Sequence, residues 1–245
     1  MTLNEKEFTS EFNRVFNQNS LGSLLNAEVC HKFFLLTEHM LAENEKYNLT
    51  AITDPKKIIL NHYADCATLA LELPRGTKII DVGCGAGFPS LPVAILRSDI
   101  SVFALDSTAK RTNYVAGAAA LLGLDNLKTL TMRAEDGGKS PELREKFDVA
   151  TARAVAETRV LCELCLPFVK LGGKMIAMKG KNAEFELSAA KRAIATLGGK
   201  SPTVKTVVLN GEDESITHPL IFIDKIAKTS DKYPRPFAQI SKKPL

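Results

Sequence analysis

Three glycines at alternate positions, Gly83, Gly85 and Gly87, follow Asp81-Val82 and precede Phe88. The residues just before them, Lys78 to Val82, are few and rich in β-formers, so the glycines stand where a strand is expected to give way to a helix. Glycine in such a turn admits positive backbone dihedrals and lets a ligand approach the main chain without a Cβ in the way. The spacing then selects among ligands. A dinucleotide fingerprint places its third glycine three positions after the second, and Phe88 occupies that place. Glycines at 83, 85 and 87 match instead the loop that holds the methionine part of S-adenosylmethionine.

Asp106 ends the second expected strand, Val102 to Leu105, and Ser107 follows it. A carboxylate at that strand end accepts hydrogen bonds from both hydroxyls of a ribose, as the acid does in the dinucleotide fold. Ala134 and Glu135 come after the third expected strand, where backbone and carboxylate meet an adenine edge whose exocyclic amine donates. Asp81, Asp106 and Glu135 each follow or close a strand, so all three are expected along the carboxyl edge of the sheet, where open α/β sheets bind ligands. His62 and Asp65 lie one helical turn apart. They either cap the cofactor or pin the helical region to the sheet.

The elements that must position these groups follow from apolar periodicity. Phe8, Phe12, Val15 and Phe16, then Val29, Phe33, Leu36 and Met40, fall at three- and four-residue spacings, which predicts helix from Asn4 to about Tyr47, punctuated at Leu21-Gly22-Ser23. A second periodic stretch, Ile58 to Leu73, follows Thr53-Asp54-Pro55, where Pro fits a first turn and Asp or Thr its cap. From Lys78 onward the strand candidates are Lys78 to Val82, Val102 to Leu105, Thr129 to Met132, Phe147 to Thr151 and Met175 to Met178. Helix-length segments such as Lys110 to Leu122 and Val155 to Val169 lie between them. That alternation implies parallel βαβ units. Val204 to Leu209 and Leu220 to Ile226 have no helix between them and are expected to pair antiparallel across a loop from Asn210 to Pro219.

The predicted fold is therefore α/β, a Rossmann-like class I methyltransferase domain over residues 76–228. Its seven-stranded sheet is mostly parallel with an antiparallel last hairpin, and an N-terminal helical extension over residues 1–75 precedes it. Residues 229–245, with Tyr233-Pro234-Arg235-Pro236 and Lys242-Lys243-Pro244-Leu245, are too rich in Pro and Lys for regular structure and read as a basic extended arm.

Bulk properties narrow the classes. The 245 residues are 45% hydrophobic and 24% charged, which is ordinary for a folded globular chain. The net charge of +4 is only mildly basic, but acids crowd the beginning and bases gather from Lys170 onward, which suggests a basic face. No stretch approaches the roughly 18 apolar residues needed to cross a bilayer, and Met1 to Phe8 lacks the order of a secretion signal, so a cytoplasmic protein without a membrane partner is expected. Five cysteines are an odd number and fit reduced thiols. Cys162 and Cys165 have metal-ligand spacing, but no second pair follows; core thiols and no metal are expected. Nothing suggests a coiled coil or a long exposed apolar edge, and a monomer is expected.

Further stretches carry a family likeness: Asn48-Leu49-Thr50-Ala51-Ile52, the His62 to Asp65 region, the glycine loop through Phe88-Pro89, Arg133-Ala134-Glu135, Thr151-Ala152-Arg153-Ala154-Val155, Met178-Lys179-Gly180 and Tyr233-Pro234-Arg235. With them the chain resembles, over nearly its whole length, the GidB or RsmG type of small-subunit ribosomal RNA guanine-N7 methyltransferases. The resemblance implies S-adenosylmethionine as cofactor, 16S ribosomal RNA or a small-subunit particle as partner, and guanine N7 as acceptor. By that resemblance Gly83, Phe88, Ala134, Glu135 and Arg153 contact the cofactor or border its pocket. The family usually continues its tail with a basic residue, a glycine and a proline, whereas Pro236, Phe237, Ala238 and Ile240 stand there in this chain.

The chemistry agrees. Guanine N7 carries an in-plane lone pair and attacks a sulfonium methyl without prior deprotonation, so alignment is the main demand and no catalytic base is needed. Methylation at pyrimidine C5 needs a cysteine nucleophile, usually after a proline, and no cysteine here follows one. The Asn/Asp-Pro-Pro-aromatic turn of adenine-amine methyltransferases does not occur either. Because the methylated ring is cationic, Arg153 and Lys179 are assigned to phosphate, guanine O6 or the cofactor carboxylate rather than to proton transfer.

For RNA the expected contacts are Lys110, Arg111, Arg133, Lys181, Arg235, Lys242 and Lys243, within a wider footprint that includes Lys170, Lys174, Lys191 and Arg192. The competing readings are a methyltransferase for a small molecule or protein, a non-catalytic RNA-binding or assembly protein, and a nicotinamide-dependent oxidoreductase. Phe88 argues against the last, and Asp106 with Glu135 argues against a dead cofactor site.

Overall fold

The structure, a computed structural model, describes residues 4–180 and 183–245. Its centre is a seven-stranded sheet of order β3-β2-β1-β4-β5-β7-β6. The strands are β1 (Lys78–Val82), β2 (Ser101–Asp106), β3 (Leu127–Thr131), β4 (Phe147–Arg153), β5 (Val169–Met178), β6 (Thr203–Asn210) and β7 (Ser215–Asp224). The first five pair parallel, and β7 runs antiparallel to both β5 and β6, as the missing helix between the last two strands predicts.

Alternation along the strands divides two cores. Ile79, Val102, Ala104, Val149 and Ile176 face one layer, made by α1 (Glu5–Gln18), α2 (Ala27–Tyr47), α3 (Pro55–Ile58), α4 (Asp65–Leu71), α5 (Ser90–Leu96) and α6 (Ala109–Leu121). Their neighbours Ile80, Leu105, Ala150 and Ala177 face the other, made chiefly by α8 (Thr158–Cys165) and α9 (Ala183–Thr196), with the short α7 (Ala134–Gly137) after β3. The N-terminal helices thus share one continuous core with the sheet. Caps fix their starts: Asn4 and Glu7 form a capping box on α1, Asn26 caps α2, and Asp54 caps α3 with Pro55 in its first turn. Between α3 and α4 the chain widens into a π-helical segment, Ile59–Ala64.

Three expectations are corrected. β5 begins at Val169 rather than Met175, because the strand runs on through Gly172-Gly173 with a register shift against β4. The hairpin turn is shorter than Asn210 to Pro219: β7 begins at Ser215, and Pro219 lies within it, opposite Thr206 of β6 and with its carbonyl accepting from Lys179 N at 3.0 Å. The C-terminal segment is no extended arm. It is docked and closes with α10 (Phe237–Lys242), whose Ile240 is fully buried; one apolar residue anchors a helix that composition alone argued against.

Candidate active site

A cavity of about 640 Å³ opens at the carboxyl ends of β1, β2 and β4, between the glycine loop and the chain after β3. Main-chain N–H groups of Gly83 and Cys84 donate to the Leu105 carbonyl at 2.7 and 2.9 Å, tying the loop to β2. Gly83 and Gly85 line the cavity with φ of 80° and 55°. A Cβ on Gly85 would meet no atom closer than 3.9 Å, so it would stand in the space a ligand needs. Gly87 differs. It does not line the cavity, and a Cβ there would strike Leu91 Cδ1 at 2.5 Å, so its role is to seat α5 against the loop.

Asp106 lines the cavity and is 4% exposed. Its Oδ2 accepts from Gly85 N at 3.1 Å and from Arg111 Nη1 at 3.4 Å, and its Oδ1 accepts from Thr108 N at 2.9 Å. A carboxylate offers about four accepting positions, so Asp106 keeps room for a further donor, and the long contact to the half-exposed Arg111 is the weakest of the three it makes. Ser107, Ala134 and Glu135 line the same space. Asp81 does not: it is buried beneath the loop, accepts from Ser90 N and Oγ, and leaves Oδ1 without a partner. Burial pushes its carboxyl up to about 7, against the opposing hydrogen bonds from Ser90.

The opposite wall comes from the helical extension. Asn48 ends α2 in the left-handed conformation that asparagine tolerates, turning Leu49 and Thr50 toward the cavity. Asn44 clamps Thr50 through both main-chain groups, at 3.0 and 2.9 Å, and Thr50 Oγ1 lies 3.0 Å from His62 Nε2. The His62 ring stacks on Phe88 with centroids 4.6 Å apart. Burial, helped by the neighbouring Arg153 charge, pushes the His62 imidazole down to about 4, so it is neutral near pH 7. Of the two expected roles for the His62–Asp65 pair, the structure shows the second, with Asp65 tying the helical layer to the sheet through Arg153 and His218, while His62 borders the cavity.

Arg153, at the end of β4, lines the cavity and is held from behind. Its Nε donates to Asp65 Oδ2 at 2.9 Å and its Nη2 to the Asn61 carbonyl at 2.7 Å. His218 Nδ1 lies 2.7 Å from the other Asp65 oxygen.

The remaining cations scatter. Lys110, Arg111 and Arg133 line the cavity, with Lys110 Nζ 4.5 Å from the Tyr47 ring centroid. Lys179 is not brought there: its side chain is 9% exposed, pairs with Glu186 at 2.7 Å and donates to the Ala156 carbonyl. Arg235 is likewise spent, forking onto the fully buried Glu163 at 2.8 and 2.6 Å. Lys242 and Lys243 are exposed on or just after α10 and do not line the cavity. Lys170 is the second residue of β5 and pairs with Asp148, at the amino ends of the strands, away from the cavity. Lys181 lies outside the described residues.

Leu164 and Phe237 line the cavity without having been expected to. Leu164 gives no sequence signal beyond core hydrophobicity. Phe237 stands where the tail departs from the family pattern, which was the available hint. All five cysteines are buried and free. Among the described residues no group of three or more His, Cys, Asp or Glu is placed to hold a metal, and no helix is long and apolar enough to cross a membrane.

Comparison with known proteins agrees with this geometry. The chain is 46% identical over 229 residues to the ribosomal RNA small subunit methyltransferase G of Clostridium perfringens, covering 93% of this chain and 95% of that protein. It is 44% identical to the protein of the same description from Lactobacillus delbrueckii subsp. bulgaricus, over 85% and 88% of the two chains. Among solved structures, a precorrin-6y C5,15-methyltransferase from Geobacter metallireducens superposes with a TM-score of 0.53 at 16% identity, over 75% of this chain and 96% of that one; this likeness is one of fold. The family described as rRNA small subunit methyltransferase G matches residues 29–217, which hold the glycine loop, Asp106 and Arg153. The chain belongs to that family.

Proposed function

We propose that the chain uses S-adenosylmethionine to methylate N7 of a guanine in 16S ribosomal RNA. The observation that carries the reading is the convergence, in one cavity, of an open glycine loop, a strand-end carboxylate at Asp106 and an anchored cation at Arg153.

The residues fit the cofactor. Gly85 leaves its main chain open to the methionine part and Gly83, whose missing Cβ makes room for Val155, lines the same space, while Asp106 accepts from the ribose hydroxyls and Ala134 with Glu135 meets the adenine edge. When bound, the cofactor supplies an electrophilic methyl group. The protein's task is then positional, since the guanine N7 lone pair lies ready in the ring plane. Arg153 is aimed into the cavity by Asp65 and the Asn61 carbonyl, which suits it to hold guanine O6, a phosphate or the cofactor carboxylate. Its pairing with a buried carboxylate also tempers the positive field that would oppose a cationic product. His62 has no part as a base: burial holds its imidazole down to about 4 and leaves it weakly basic, and the ring is stacked on Phe88 with Nε2 engaged by Thr50.

The test is transfer of labelled methyl from S-adenosylmethionine to small-subunit ribosomal RNA, followed by mapping of the modified base. Label on a guanine N7 is expected. Protein that binds the cofactor yet labels no RNA, or labels only another base position, would refute the reading.

A further inference from the structure

We propose that Phe237 is the aromatic wall on which the adenine of the cofactor rests, so that the C-terminal segment completes the cofactor site; this deepens the methyl-transfer reading and rests on it. Phe237 opens α10, lines the cavity and is 41% exposed. Of the exposed large apolar side chains in the described residues, only Phe237 and Val155 face this cavity. An aromatic ring left wet at the wall of a nucleoside-sized pocket has a face to offer a base, and base–aromatic stacking needs no matched hydrogen bonds.

The ring is held in place. Arg235 forks onto Glu163, its own main-chain N–H donates to the same carboxylate at 2.8 Å, and Ile240 is fully buried on the same short helix. Arg144 Nη1 holds the Tyr233 carbonyl at 2.8 Å. A bidentate arginine–carboxylate pair fixes orientation as well as distance.

The elements beneath it decide which end of the cavity Phe237 serves. Glu163 precedes Leu164, which lines the cavity, and a Cβ on Gly138, just after α7, would meet Pro234 Cγ at 3.0 Å. The tail is therefore seated on α7 and α8, and α7 opens with Ala134 and Glu135, the residues assigned to adenine. The His62–Phe88 stack belongs to the opposite core layer and borders the other side. Phe237 thus stands with the adenine residues.

The experiment is calorimetric titration of wild type, Phe237→Ala, Phe237→Leu and Phe237→Tyr with S-adenosylmethionine and S-adenosylhomocysteine, with KM for RNA measured alongside. Phe237→Ala should weaken both nucleosides about ten- to hundredfold. Phe237→Leu, which keeps bulk without a ring, should stay weak, and Phe237→Tyr should restore binding, with circular dichroism unchanged throughout. Unaltered nucleoside affinity in Phe237→Ala overturns the proposal, including the case where only the KM for RNA rises, which would assign the ring to the target base. Because the titration needs no RNA, it decides this role even if ribosomal RNA proves not to be the substrate.

Discussion

Arg153 Nε lies 2.9 Å from Oδ2 of Asp65, whose side chain is 2% exposed, so the guanidinium that enters the cavity is braced by a carboxylate that water does not reach. His218 takes the other oxygen from β7, and one buried acid at the start of α4 thereby ties that helix, the antiparallel hairpin and the cavity together. Arg153→Ala is expected to lower kcat about 10²- to 10³-fold, the usual cost of removing a preorganised polar contact to a transition state. Asp65 keeps His218, so the loss in unfolding free energy should stay near 1–3 kcal/mol. Near-normal turnover at saturating RNA and cofactor would remove Arg153 from the reaction. Arg153→Lys should not rescue, since one ammonium cannot reproduce the guanidinium fork to Asp65 and Asn61.

Asp106 and Gly85 face each other across the loop at 3.1 Å, and each can be tested by binding alone. Asp106→Ala should weaken S-adenosylhomocysteine about a hundredfold, since hydrogen bonds to a charged acceptor contribute roughly 1.5–3 kcal/mol each. Gly85→Val, at φ of 55°, puts a branched side chain into a left-handed position and into the cavity, and should abolish measurable binding. Gly87→Ala, by contrast, should lower the melting temperature more than its effect on affinity would suggest, because its neighbours are Leu91 and Val115 rather than the ligand space. Equal affinity loss in Gly85→Val and Gly87→Ala, with both folded, would contradict this division of roles.

The cavity's frame was readable in the chain because each part has a local cause. Glycine spacing marks the loop, β-rich runs mark the strands, and an acid at a strand end marks the carboxylate that lines the cavity. What escaped is what depends on distant partners. Lys179 and Arg235 carry the same charge in the sequence as Arg133, yet Glu186 and the buried Glu163 consume the first two, and neither acid is adjacent in sequence. Asp81 stands at a strand end like Asp106, but Ser90 folds back over it. Phe237 was hidden by the prolines around it, whose helix-breaking signal outweighed the single buried Ile240 that anchors α10.

Lys110, Arg111 and Arg133 surround the cavity mouth, whereas Lys242 lies on the docked α10 away from it. Phosphate contacts release counterions, and each one removed should flatten the logarithmic salt dependence of single-stranded RNA affinity by about 0.7. Arg133→Ala is expected to show that change with cofactor affinity unaltered, because its side chain is exposed at the rim. Lys242→Ala should leave the slope unchanged. A steeper loss for Lys242→Ala than for Arg133→Ala, in binding measured from low to moderate salt, would move the RNA path from the cavity mouth to the C-terminal helix.

His62 supplies the prediction in pH. Its folded-state value is about 4 against an ordinary 6.5, so between those limits the unfolded chain binds more protons and wild type loses stability as pH falls. Asp81, pushed up to about 7 from 3.8, works in the opposite sense across the same range, gaining stability as pH falls. The raw pH profile therefore mixes two slopes, and only a difference separates them. Subtracting the unfolding free energy of His62→Gln from that of wild type, in urea titrations from pH 7 to pH 4, should give a curve that declines by on the order of 3 kcal/mol toward acid. The decline should be confined to the span between the two values, because below about 4 both states are protonated. A flat difference would mean that the ring titrates normally where it stands, and that its stack on Phe88 and its contact with Thr50 do not exclude the imidazolium.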